Sequence, residues 1–119
     1  LLHDAPEYVI GDLISPFKTA IGLDYKTFEA RLLGAIHRRF GLPETLPRTT
    51  AALIKQADRI AAYYEATRLA GFTQQEALLY FEQPKHLSAR MQTRLEQLSA
   101  WPVHEAQRGF LARFAHLQI

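Results

Sequence analysis

Residues 1–18 hold a high density of ionisable side chains between apolar ones. His3 and Asp4 are adjacent, Glu7 and Asp12 follow, and Lys18 comes shortly after a Ser-Pro pair. An imidazole supplies a neutral nitrogen ligand and a carboxylate offsets part of a cation's charge, so a His-Asp pair can bind one metal ion. This crowding of charges predicts a site for a metal ion or for a phosphate group.

If such a site hydrolyses a phosphate ester, the reaction needs groups besides the metal ligands. A metal ion polarises a water molecule and a phosphoryl oxygen, but the leaving oxygen also needs a proton donor and the water needs an orienting group. Glu7 and Asp12 are placed for these two tasks, and Lys18 would contact a substrate phosphate as a point charge. Since one lysine is too few for a phosphate, we expect further basic residues from a preceding segment or another subunit. Arg59 is a candidate that nothing else in the sequence supports.

The run Leu-Leu-His-Asp-Ala-Pro-Glu at residues 1–7, followed by an aspartate and then Ser-Pro-x-Lys, resembles the HD-domain phosphohydrolase superfamily. The resemblance is to its branch of bacterial and phage 5'-deoxynucleotidases. In that family a histidine of an earlier helix, the His-Asp doublet and a distant helical aspartate bind the metal. The resemblance therefore implies that His3, Asp4 and Asp58 are metal ligands. It also implies that Glu7 is the general acid or base, and that Asp12 orients water or binds a further ion.

Asp58 is the distant aspartate that fits this pattern, and it lies in the middle of a predicted helix. Ala57 and Ala61 beside it would let a neighbouring helix approach closely enough for the short carboxylate to reach an ion. The alternative is an ordinary solvated aspartate, because an unpaired buried carboxylate is costly. Glu65, two turns later, is either a hydrogen-bonding partner of the ligands or part of a solvated stripe.

The family's first metal-ligating histidine should precede the doublet, and no residue of this chain supplies it. The sequence opens on Leu1 and Leu2 without an initiator Met. We therefore expect that N-terminal helices of the domain are missing from this chain. Cysteine is absent from the sequence, so the metal would be held by histidine and carboxylates. Mn, Co, Fe, Ni, Zn and Mg all remain open as the divalent cation.

Helical periodicity and the positions of Gly and Pro predict an all-α fold, and the resemblance implies a single HD-type helical bundle over residues 1–119. Residues 1–5 are predicted as the tail of a helix that Pro6 ends, followed by a loop up to a short helix beginning near Pro16. The longer helices are predicted over 25–40, over 50–70 with Thr49 or Thr50 as N-cap, over 73–81 from a Thr73-Glu76 capping box, over 88–98 from Ser88, and over 102–117.

The composition favours one soluble globular domain, with 48% hydrophobic and 22% charged residues. The net charge of +2 is spread among interspersed acidic and basic residues, which argues against a nucleic-acid interface. No apolar stretch approaches the roughly 20 residues that span a bilayer, so we expect a cytoplasmic protein without a membrane partner.

The remaining histidines are expected at the surface, and the aromatic residues in the core or in subunit contacts. These histidines are His37, His86, His104 and His116.

The function that the resemblance implies is hydrolysis of a small nucleotide, with a 5'-deoxynucleoside monophosphate as the first choice of substrate. A nucleoside triphosphohydrolase acting on a substrate such as dATP is a rival within the same chemistry. A non-catalytic HD domain that binds a nucleotide or a protein is a rival of another class, and a nucleic-acid-binding module is the least supported. The resemblance also implies a homodimer.

Overall fold

The structure, a computed structural model, describes residues 1–118 and the side chains of all of these except Ser15 and Leu23. The described part contains seven α-helices and no β-strand, which confirms the all-α prediction. The helices are α1 (Glu7–Ile10), α2 (Ser15–Ile21), α3 (Leu23–Arg39), α4 (Arg48–Arg68), α5 (Gln74–Tyr80), α6 (Ala89–Glu96) and α7 (Val103–Leu117).

The chain divides into two compact units. The first unit is Leu1–Ala51, which contains α1 to α3 and the first turn of α4, and the second begins at Ala52. A single HD-type domain over the whole chain stays a prediction. Among the described residues, no helix combines the length and the apolarity needed to cross a membrane.

In the first unit, α2 and α3 form a helical hairpin and pack against each other. The turn between them is Gly22, whose φ of 93° lies in the region that residues with a Cβ rarely adopt. The backbone N–H of Gly22 donates to the carbonyl of Lys18, which closes α2. As predicted, Pro16 lies in the first turn of this short helix, where its missing N–H costs nothing.

The prediction that Pro6 ends a helix was wrong. Residues 3–6 form turns, and Pro6 is the N-cap of α1, with φ −57° and ψ −30°. Its carbonyl accepts from the N–H groups of Val9 and Ile10 at 3.0 and 3.2 Å. A proline ring is compatible with a helix start because its φ already suits the first turn and it has no N–H to satisfy. Glu7 is therefore the first residue of a helix rather than part of a loop.

In the second unit, a small core forms where α4 and α5 meet. Tyr63, Tyr64 and Ala77 are buried, and the two tyrosine rings meet edge to face with centroids 5.4 Å apart. Ala77 has no exposed surface at all, so this face of α5 has no room for a larger side chain. The partly buried side chains that pack around this core are Ile60, Phe81, Leu87, Leu95 and Leu98.

Local capping signals position the helices of this second unit largely as predicted. Thr73 and Glu76 form the expected capping box, each side chain accepting from the other residue's backbone N–H. Ser88 accepts from the N–H of Met91 at 3.2 Å and caps α6. The N-cap predicted for α4 was wrong, however. That helix begins at Arg48, directly after Pro47, whose carbonyl accepts from Ala51.

The prediction that His37 lies at the surface was also wrong. Only 5% of its surface is exposed, and its Nδ1 lies 3.2 Å from the carbonyl oxygen of Pro43. The chain turns back after α3 at Gly41, where φ is 73°, and the N–H of Leu42 donates to the His37 carbonyl. The returning segment covers the imidazole, which is therefore a structural group of the first unit.

Candidate active site

Four of the six predicted site residues line one cleft in the first unit. The cleft has a volume of about 350 Å³, and its walls come from the N-terminal turns, α1, α2 and α3. His3 and Asp4 lie on the turns, Glu7 on α1 and Lys18 on α2. The resemblance assigns these residues to metal binding, proton transfer and phosphate binding, and they share this one surface.

The two proposed ligands in the N-terminal turns lie side by side. His3 Nε2 is 3.8 Å from Asp4 Oδ1, with 45% and 69% of the side chains exposed. The turn that holds them is closed by the N–H of Glu7, which donates to the Asp4 carbonyl at 3.0 Å. Two ligands bonded to one ion at about 2.0–2.2 Å lie roughly 3–4 Å from each other. This donor pair therefore fits two positions in the coordination shell of a divalent cation.

The complete ligand set that was predicted stays a prediction. Among the described residues, no group of three or more His, Cys, Asp or Glu side chains is arranged to hold a metal ion. Asp58 belongs to the second unit, where it is exposed on α4. Glu65 is also exposed on that helix.

Lys18 is a partly buried cation in the cleft wall. Its Nζ donates a 3.0 Å hydrogen bond to Oε1 of Glu29 on α3, and it lies 4.0 Å from Oε1 of Glu7. Only 23% of the Lys18 side chain is exposed, and the two carboxylates are about as sheltered. The hydrogen bond that Lys18 donates to Glu29 raises the pKa of Lys18 and favours the ammonium form.

The surroundings of Glu7 favour its protonated form. Burial raises the pKa of its carboxyl group, and the carboxylates of Asp12 and Asp4 raise it further, while Lys18 acts in the opposite direction. Asp12 is exposed and lies outside the cleft wall, but it is close enough to Glu7 to act on it electrostatically. Asp4, Asp12 and Lys18 thus all act electrostatically on Glu7.

Glu29 is the residue of this cleft that sequence reasoning missed. It lies two turns after Gly22 on α3, and Lys18 lies one turn before that glycine on α2. A helical hairpin that turns at Gly22 brings such positions near each other. A carboxylate two turns into α3 could therefore have been predicted from the sequence as a partner of Lys18. Lys26, one turn before Glu29, adds a second cation to the cleft wall.

No protein-family model matches the chain. The chain is 45% identical over 114 residues to an uncharacterized protein of Rhodobacter capsulatus, an alignment that covers 95% of this chain and 56% of the relative. The chain therefore spans little more than half the length of the curated relative it matches. This similarity relates it to a longer protein whose activity is not established.

Proposed function

We propose that this chain is part of an HD-type, metal-dependent phosphohydrolase that converts small nucleotides, above all 5'-deoxynucleoside monophosphates, to nucleoside and phosphate. The observation that carries the proposal is the shared cleft of His3, Asp4, Glu7 and Lys18. A ligand pair, a proton donor and a cation are the parts that metal-assisted phosphate hydrolysis needs within reach of one substrate.

The charge balance of the cleft supports a metal-dependent rather than a metal-free site. Three carboxylates, Asp4, Glu7 and Glu29, line it beside the two ammonium groups of Lys18 and Lys26. Even with Glu7 protonated, the remaining carboxylates balance the two ammonium groups, so the cleft offers a doubly charged phosphate monoester no net positive charge. A divalent cation held by His3 and Asp4 would reverse the balance.

The proposed roles of the protein groups follow from their surroundings. Glu7 gives a proton to the leaving ribose oxygen, and its burial, which raises the pKa of the carboxyl group, favours the protonated form that this role needs. Lys18 has three N–H donors, and its bond to Glu29 uses one of them, so the others can contact a phosphate oxygen. The water-orienting role of Asp12, which lies outside the cleft wall, rests on the resemblance alone. The resemblance implies that Asp58 and a histidine from a preceding helix would complete the ligand set, and a metal bound there would polarise a water molecule and a phosphoryl oxygen.

The test is a product analysis on the full-length protein with Mn, Co, Fe, Ni, Zn or Mg added in turn. Deoxynucleoside monophosphates and triphosphates are supplied separately, and orthophosphate and triphosphate are quantified. The proposal predicts orthophosphate and nucleoside from monophosphates. Release of triphosphate would identify the triphosphohydrolase instead. Metal and nucleotide binding without any turnover would contradict catalysis and favour the non-catalytic HD domain.

A further inference from the structure

Lys18 is held on the α3 side by a specific partner rather than projecting freely into the cleft. The Lys18–Glu29 hydrogen bond joins two helices across eleven sequence positions, and both side chains are mostly sheltered from solvent. A hydrogen bond between two charged groups is stronger than one between neutral groups, and shelter reduces its screening by water. This contact therefore restricts where the Lys18 ammonium can lie.

Tyr25 is a second group of α3 that acts electrostatically on Lys18. Its hydroxyl is buried and has no hydrogen-bond partner among the described residues. The hydroxyl is near enough to Lys18 to contribute to its raised pKa. Tyr25 lies one turn before Glu29 on α3, and the direct contact that restrains the lysine head group is the hydrogen bond to Glu29.

The restraint places the Lys18 ammonium inside the candidate site. Lys18 Nζ lies 4.0 Å from Glu7 Oε1, in the cleft that also contains His3 and Asp4. An unrestrained lysine has a flexible four-carbon stem and many rotamers, so most of its conformations would leave this position. A restraint on the lysine thus prepares the cleft for an anion before the anion arrives.

We infer that Glu29 is a positioning residue, which fixes the Lys18 ammonium in the cleft for contact with a phosphate group of the substrate. The inference rests on the proposed function for the identity of the anion. Glu29 does not touch the substrate and acts through Lys18. A purely structural brace between α2 and α3 is the competing explanation, and it predicts that loss of Glu29 affects stability but not phosphate recognition.

The kinetic test uses the full-length protein and a double-mutant cycle of Glu29→Ala and Lys18→Gln. Glu44→Ala is the matched control, since Glu44 pairs with Arg38 in the same unit but outside this cleft. Loss of a hydrogen bond to a charged group predicts that Glu29→Ala raises KM about tenfold with a smaller change in kcat. Glu29→Gln, which keeps a neutral acceptor, should restore part of the loss. In the Lys18→Gln background, Glu29→Ala should add nothing.

A second readout does not depend on turnover. The side-chain NMR signal of Lys18 is followed in each variant, alone and during titration with inorganic phosphate. Glu29→Ala should shift this signal and weaken its response to phosphate, whereas Glu44→Ala should leave both unchanged. An unchanged Lys18 signal in Glu29→Ala, or additive kinetic effects of the two substitutions, would overturn the inference. Absence of hydrolysis in the wild type would overturn the proposed function, and the NMR signal would still decide the role of Glu29.

Discussion

Glu7 and Lys18 approach each other across the cleft, with Oε1 of the carboxyl group 4.0 Å from the ammonium nitrogen. The lysine favours the ionised form of Glu7, but burial and the nearby carboxylates of Asp4 and Asp12 act in the opposite direction and dominate. The pair therefore combines a cation with a carboxyl group that holds its proton more tightly than usual. A phosphate ester in this cleft would meet both groups, one for its charge and one for its leaving oxygen.

Replacing Glu7 by Gln should stabilise the metal-free protein in a pH-dependent way. Because the folded-state pKa of Glu7 is raised, the folded protein favours the protonated carboxyl, and ionisation of Glu7 lowers stability as pH rises through that pKa. Glu7→Gln removes this loss. Urea unfolding with a chelator present should show a more stable variant at about pH 7 and a smaller difference at about pH 3, where Glu7 is protonated in both states. Equal differences at both pH values would contradict the raised pKa.

Replacing Thr73 by Ala should destabilise the second unit by about 1 kcal/mol. The substitution removes the hydroxyl that accepts from the Glu76 N–H and leaves one donor of the first turn of α5 without its partner. Chemical unfolding measures the loss. Thr50→Ala is the control, because Thr50 lies exposed inside the first turn of α4 and does not cap it. A similar loss in both variants would show that the cap is not the cause.

Replacing Ala77 by Leu should cost about 1–3 kcal/mol in the free energy of unfolding. Ala77 is fully buried beside Tyr63 and Tyr64, so the additional carbon atoms must displace these rings or the helix backbone. Ala106→Leu on α7 adds the same atoms at an exposed helical position and should be close to neutral. Near-UV circular dichroism should show changed tyrosine packing in Ala77→Leu alone. A neutral result there would mean that the core around Ala77 has unfilled space.

Replacing His37 by Ala should cost about 1–3 kcal/mol, because it leaves the Pro43 carbonyl without its imidazole partner and empties a buried position. Since the carbonyl can only accept, the Nδ1–H tautomer is required. Imidazole ¹⁵N shifts can identify that tautomer directly. His116→Ala, at the exposed end of α7, is the control and should have little effect. Equal stability of the two variants would contradict a structural role for His37.

The sequence predicted best the features that depend on neighbouring residues. The capping box at Thr73 and the cap at Ser88 need only the residues of one helical turn, and both are present. Pro6 was misassigned because a proline is compatible with the end of one helix and the start of the next, and only the surrounding turns decide. The prediction that Glu7 is a site residue did not depend on Pro6, because it rested on the residue types in this segment.

Longer-range relationships were harder to predict. His37 is buried because the segment after α3 folds back onto it. The local periodicity of the sequence does not predict this fold-back. The Lys18–Glu29 contact depends on the path of the hairpin at Gly22. Whether Asp58 joins the ligand pair depends on packing between elements far apart in sequence, so it is a prediction that a metal-binding experiment must test.

The most direct measurement of the central claim is metal-dependent orthophosphate release from a deoxynucleoside monophosphate by the full-length wild type and Asp4→Asn. Asp24→Asn is the matched control, since Asp24 lies in the first turn of α3 and does not line the cleft. The account predicts turnover with added divalent metal in the wild type and the control. Asp4→Asn should lose metal and fall to the background rate. Full metal binding and full activity in Asp4→Asn would contradict the assignment of this cleft as the active site.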